Sequence, residues 1–174
     1  ALVSRVVALL RDEGLVERDG SRVRCTDPSA LLDLWVDSYR RRRIAWEPWH
    51  VAHDDPVALA RAISSSLNGP MLMGVFTGLL PASMRAPHVT GDVLQLYAND
   101  GYEDALREVG ARPVAGAGAL LVNSPPWDDG VFMLADEHEG VVMADPVQVY
   151  LDLSRMRGRG EEAAAVYREH VLGY

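Results

Sequence analysis

The sequence predicts a mixed α/β chain of the α+β kind, with a small N-terminal module over residues 1–43 and an α/β body over residues 44–174. Three observations carry this expectation. Helical and strand periodicities are interleaved without the strict alternation of a doubly wound sheet. Asp-Pro recurs at Asp27-Pro28, Asp55-Pro56 and Asp145-Pro146, each time a side-chain cap followed by a proline whose missing N–H costs a first helical turn nothing. The charge is also divided: residues 1–43 hold nine Arg against seven acids (+2), and residues 44–174 hold eight Arg against eighteen (−10).

The elements follow in order. Leu2, Val3, Val6, Val7, Leu9 and Leu10 recur at helical spacing, and Gly14 supplies the left-handed cap that ends such a helix. Residues 15–18 and 21–25 read as two short strands around Asp19-Gly20, a dipeptide favoured in tight hairpins. A helix and hairpin of this size cannot bury a core alone, so partner helices are expected, and the start at Ala1 points to an upstream segment as their source. Thr26-Asp27-Pro28 then opens a helix through Leu31, Leu32, Leu34, Trp35 and Tyr39, closed by four consecutive arginines at 40–43. Those cations complement the helix dipole or face phosphates.

Residues 44–50 read as the junction. A second amphipathic helix follows Asp55-Pro56 and ends at Asn68-Gly69-Pro70. Residues 71–84 form a buried apolar element, part of it helical, and residues 93–98 a strand. A short helix over 103–109 precedes further strands at 119–123, 131–134 and 141–143. Asp145-Pro146 opens another helix, and residues 161–172 form the last after Gly158-Arg159-Gly160.

Composition narrows the function classes. With 174 residues, 48% of them apolar and 24% charged, the chain is an ordinary folded one, not a disordered or collagenous scaffold. No apolar stretch approaches the roughly 20 residues of a membrane span, and no secretory leader opens the sequence, so no membrane partner is expected. Cys25 stands alone, which fits a reducing compartment, the cytoplasm. All 17 basic residues are arginine, so the Gly-rich phosphate loop ending in Lys is excluded, as is a Ser-x-x-Lys nucleophile.

The remaining chemistry is sparse. His50 and His53, beside Asp54 and Asp55, have no third His or Cys nearby and read as loop residues, so no metal and no cofactor is expected. Asp136, Glu137, His138 and Glu139 read as a solvated tip between two strands. The glycines of residues 110–118 lie between a helix and a strand, the wrong order for a dinucleotide loop. Trp46, Trp49 and Trp127 are contact anchors if exposed and core if buried.

Nucleic-acid binding has the better foothold. A helix passing through a glycine turn into a basic hairpin has the shape of the second half of a winged helix-turn-helix, and residues 3–20 resemble that family closely. The resemblance places Ser4, Arg5 and Arg11 along a recognition helix, and Arg18, Arg22 and Arg24 on or beside the wing. Residues 31–35 add to it, as do the stretch from Asp145-Pro146-Val147-Gln148 to Leu153 and Gly158-Arg159-Gly160. Together they resemble the AbiEi-like antitoxins of type IV toxin–antitoxin systems. That resemblance implies an autorepressor without catalysis, double-stranded DNA as partner, a nucleotidyltransferase-like toxin, and scope for a homodimer. Within the matching stretch, Gln148, Tyr150, Asp152, Arg157, Arg159 and Glu161 have a structural explanation in capping, packing and ion pairing.

Two other classes stay open. An enzyme acting on a nucleotide or small ligand would need Asp92, Asp136 and Asp152 to converge, as carboxylates holding Mg²⁺ do. A winged helix used only for dimerisation would bury its wing in a subunit interface.

Overall fold

The structure, a computed structural model, describes residues 2–69, 72–86, 91, 93–125 and 129–174. The chain falls into two compact units, Ala1–Arg42 with Tyr174, and Arg43–Gly173. The mixed α+β class is the one observed.

The first unit contains α1 (Leu2–Asp12), the antiparallel hairpin β1 (Val16–Asp19) and β2 (Arg22–Cys25), and α2 (Pro28–Tyr39). Asp27 caps α2 by accepting from the Ala30 N–H at 2.9 Å, with Pro28 in the first turn. Asp19 pairs with Arg22, so the turn residues are Gly20 and Ser21, one place later than Asp19-Gly20, and Gly20 takes φ 60°.

The second unit is built on one seven-stranded mixed sheet in the order β6-β3-β7-β5-β4-β9-β8. Its strands are β3 (Glu47–His50), β4 (Gly74–Thr77), β5 (Leu94–Ala98), β6 (Arg112–Pro113), β7 (Leu120–Asn123), β8 (Asp136–His138) and β9 (Val141–Met143). β5 runs parallel to β7 and β4 parallel to β9; the other pairs are antiparallel. Phe76, Leu94, Leu96, Leu120 and Val122 point to one face and share a core with Leu59 and Ile63 of α3 (Pro56–Ser66), with Leu67 at its C-cap, and with Ala105 and Leu106 of α5 (Tyr102–Glu108). α4 (Leu79–Arg85), α6 (Pro146–Leu153) and α7 (Arg159–Tyr167) pack on one another, with α4 and α6 also against β4. A π turn, Arg168–Leu172, ends the last helix.

Three further expectations are corrected. Residues 131–134 are not a strand: Asp129–Phe132 is a 3₁₀ turn, followed by Leu134 at φ 85°. The polar tip is itself a strand, since Asp136–His138 pairs with Val141–Met143 at the sheet edge and the turn falls on Glu139-Gly140. The junction at 44–50 contains β3, a strand pairing on both sides.

The two glycines of Gly158-Arg159-Gly160 have separate jobs. Gly158, at φ 63°, is the N-cap of α7 in a backbone region that disfavours side chains. Gly160 is buried where a Cβ would overlap Met156 and lie 3.0 Å from the Leu153 carbonyl oxygen. The α6–α7 contact therefore requires a bare α-carbon. Gly160→Ala is expected to cost about 1–3 kcal/mol by overpacking, read as a lower urea midpoint with an unchanged slope, while Arg159→Ala beside it leaves the midpoint nearly unchanged.

Candidate nucleic-acid interface

The geometry of the first unit is set by backbone. At the end of α1 the Gly14 N–H donates to the Arg11 carbonyl at 2.9 Å, and the Leu15 N–H donates to the Leu10 carbonyl at 2.8 Å. With Gly14 at φ 74° this is the paired closure that glycine permits at a helix C-terminus. Leu15 and Val16 are thereby turned inward and buried. The far end of the hairpin is fastened to the same corner. Thr26 donates its N–H to the Leu15 carbonyl at 3.0 Å and its hydroxyl to the Gly14 carbonyl at 2.8 Å.

The strand register sorts the hairpin side chains into two faces. Val16, Arg18, Val23 and Cys25 share one, while Glu17 with Arg24 and Asp19 with Arg22 are cross-strand neighbours on the other. The first face and α1 enclose a groove of about 300 Å³, in which Ser4, Arg11 and Arg18 are the polar DNA candidates. Arg5 lies on α1 outside this groove, and Arg22 and Arg24 lie on the opposite hairpin face. All six candidates, Ser4, Arg5, Arg11, Arg18, Arg22 and Arg24, are exposed.

Their electrostatics differ. Arg24 approaches Glu17 at 4.0 Å and Arg11 approaches Asp12 at 3.7 Å, both between solvated side chains. Such pairs are worth little and break readily for a stronger anion. The Arg18 Nε donates to the Gly20 carbonyl at 3.2 Å, which lays the side chain along its own turn. Arg5 and Arg22 make no ion pair among the described residues. On α1, Leu2, Val3, Val6 and Leu9 are exposed, so the amphipathic helix read from the sequence forms without covering that apolar stripe within the unit.

The carboxylates singled out for an enzyme are placed differently from one another. Asp92 lies outside the described residues. Asp136 is exposed on β8 and paired with Arg85, whose guanidinium also donates to the Tyr167 hydroxyl at 3.0 Å. Burial lowers the Arg85 pKa, but Tyr167 and Asp136 outweigh it and leave it raised; burial is the main cause that raises Tyr167. Asp152 is 3% exposed and accepts hydrogen bonds from Thr77 at 2.6 Å, Tyr97 at 3.0 Å and Gln148 at 3.0 Å. Its carboxylate joins α6 to β4 and β5. Gln148 and Asp152 were visible in the sequence as polar residues four apart on a helix, but Thr77 and Tyr97 carried no signal, because only the packing of α6 on the sheet brings them near.

The other candidates resolve simply. Asp145 caps α6 by accepting from the Val147 N–H at 2.8 Å, and Tyr150 meets Arg168, whose guanidinium donates to its hydroxyl at 3.3 Å. Arg157, Arg159 and Glu161 are exposed around the start of α7. His50 is exposed at the end of β3 and His53 half-buried in the loop after it. Trp49 is core, Trp46 is half-buried with its ring 5.1 Å from Tyr97, and Trp127 lies outside the described residues. Among the described residues no three His, Cys, Asp or Glu side chains gather as metal ligands, and no helix is long and apolar enough to cross a membrane.

A sequence model for a family of transcriptional regulators, the AbiEi antitoxin of type IV toxin–antitoxin systems, matches residues 24–173. The chain belongs to the AbiEi antitoxin family. No curated protein and no solved structure gives a significant match. The AbiEi match takes in α2 and the sheet unit and begins within β2, so α1 and most of the hairpin stand outside it. The stretch around Asp152 lies within it.

If Asp152 holds the fold, as these donors indicate, Asp152→Ala strands the buried Thr77 and Tyr97 hydroxyls and the half-buried Gln148 amide. Unsatisfied buried donors cost about 1–3 kcal/mol each, so a loss of several kcal/mol is expected in chemical denaturation. Mg²⁺ should leave the unfolding midpoint of the unsubstituted protein unchanged; a Mg²⁺-dependent rise abolished by the substitution would point to a metal site instead.

Proposed function

We propose that this AbiEi antitoxin binds double-stranded DNA through α1 and the hairpin and represses its own operon, which also encodes a nucleotidyltransferase-like toxin. In this reading it performs no catalysis. The observation that carries it is the outward placement of all six side chains, Ser4, Arg5, Arg11, Arg18, Arg22 and Arg24, on a helix and hairpin of fixed geometry. A helix inserted in the major groove reads base edges with Ser and Arg, while a hairpin arginine reaches the backbone or minor groove. Arg5 and Arg22 carry the most in this proposal, since neither is already engaged by an acid among the described residues.

A homodimer would set two such surfaces on half-sites about one helical turn, ~34 Å, apart. Membership in a family of transcriptional regulators supports the assignment. The partnerships of Asp136 with Arg85 and of Asp152 with Thr77, Tyr97 and Gln148 weigh against the enzyme reading, because neither carboxylate is held ready for a metal.

The test is binding to a duplex taken from immediately upstream of the chain's own gene, followed by fluorescence anisotropy. Binding should weaken steeply with salt, and replacing Arg5, Arg22 and Arg24 with Ala should weaken it by at least about tenfold, since a lost bidentate base contact alone is worth about 1–3 kcal/mol. Indifference to both salt and substitution would reject the assignment.

A further inference from the structure

The arginine run after α2 has no place in that reading, and the charge distribution gives it one. Residues 1–25 hold five arginines against four acids, with Arg11 and Arg24 each beside a carboxylate. Duplex DNA carries one negative charge per about 1.7 Å of axis, and affinity comes largely from counterions released as cations neutralise phosphates. A helix and hairpin with a net charge of +1 supply little of that.

The greatest local density of positive charge lies at Arg40, Arg41 and Arg42, with Arg43 next in sequence, and no acid closer upstream than Asp37. All of these arginines are exposed. Their backbone is pinned: the N–H groups of Arg40, Arg41 and Arg42 donate to the carbonyls of Val36, Ser38 and Tyr39 at 2.9, 3.2 and 3.0 Å. The Arg42 guanidinium rests over the Tyr39 ring at 5.7 Å, and Tyr39 is buried. The run is thus a dense group of exposed cations on an ordered stretch of backbone at the helix end. The helix dipole does not account for the whole run, because that effect falls off within the last turn and the run begins at the C-cap, Arg40.

We infer that Arg40, Arg41 and Arg42 form a sequence-independent phosphate clamp that supplies most of the electrostatic affinity of the DNA interface, while α1 and the hairpin supply its sequence preference. This rests on the DNA-binding reading above. The ligand chemistry is the phosphodiester backbone of a duplex, met by guanidinium groups that present paired N–H donors.

The experiment titrates the full chain with two duplexes, one from upstream of its own gene and one of the same composition scrambled, between about 50 and 200 mM salt. The triple substitution Arg40→Gln, Arg41→Gln, Arg42→Gln should flatten the slope of log Kd against log salt by about 2–3, at roughly 0.9 per phosphate contact, and weaken both duplexes by the same factor. The matching triple Arg→Lys change should restore most of the slope. Arg5→Ala with Arg22→Ala should instead erode the preference for the chain's own duplex. A triple Gln variant with unaltered melting temperature and unaltered slope overturns the clamp and leaves the DNA-binding reading standing. If that variant melts early, the single Arg41→Gln decides, with a slope change near 0.9 for the clamp and none against it. Equal binding of both duplexes by the unsubstituted chain, with the slope still lowered in the Gln variant, sinks operator recognition and keeps the clamp. Absence of binding to either duplex removes both.

Discussion

The centre of the sheet has no wet side. Every residue of β4 and β5 is buried, so these strands carry no alternation between core and solvent and must be covered by helices on both faces. On one face the cover is apolar, with Leu59, Ile63, Leu67 and Leu106 against Phe76, Leu94 and Leu96. On the other, β4 and β5 present Thr77 and Tyr97, whose hydroxyls need acceptors, and Asp152 of α6 provides them. Apolar contact is non-directional and tolerates a helix rotated or shifted by a few ångströms. Two hydroxyls converging on one buried carboxylate do not, so this polar knot fixes where α6 sits and, through the bare Gly160, where α7 follows.

Much of this was legible because it is local. The three Asp-Pro starts all cap helices, since the cap bond spans only two or three residues and needs nothing from the rest of the fold. The glycine end of α1 and the hairpin after it were readable for the same reason. β3 was missed because Glu47-Pro48-Trp49-His50 has neither alternation nor a run of branched residues; it is a strand because β6 and β7 flank it. β8 was missed because an exposed edge strand needs no apolar side, and Asp136-Glu137-His138 has none. Residues 131–134 misled in the opposite sense: Val131 and Phe132 are buried, as strand residues would be, but within a 3₁₀ turn that leaves Met133 and Leu134 exposed.

The candidate interface was legible residue by residue and opaque as an arrangement. Alternation predicts that neighbouring hairpin residues point to opposite faces, but only the register states that Arg22 and Arg24 stand across from Asp19 and Glu17 while Arg18 turns toward α1. Sequence therefore shows which side chains are cationic, and not that Arg24 is met by Glu17 while Arg22, across from Asp19, makes no ion pair among the described residues. The partners of Asp152 illustrate the same limit from the buried side, since they come from two strands and a helix far apart in the chain.

The corner at Gly14, Leu15 and Thr26 is made from main-chain groups and one threonine hydroxyl. None of the six outward-facing candidates takes part with its side chain. Orientation of the proposed recognition surface is thus chemically independent of the side chains it presents. In the proposed DNA-binding reading, a scaffold of this kind lets the exposed letters change while the frame that holds them stays intact.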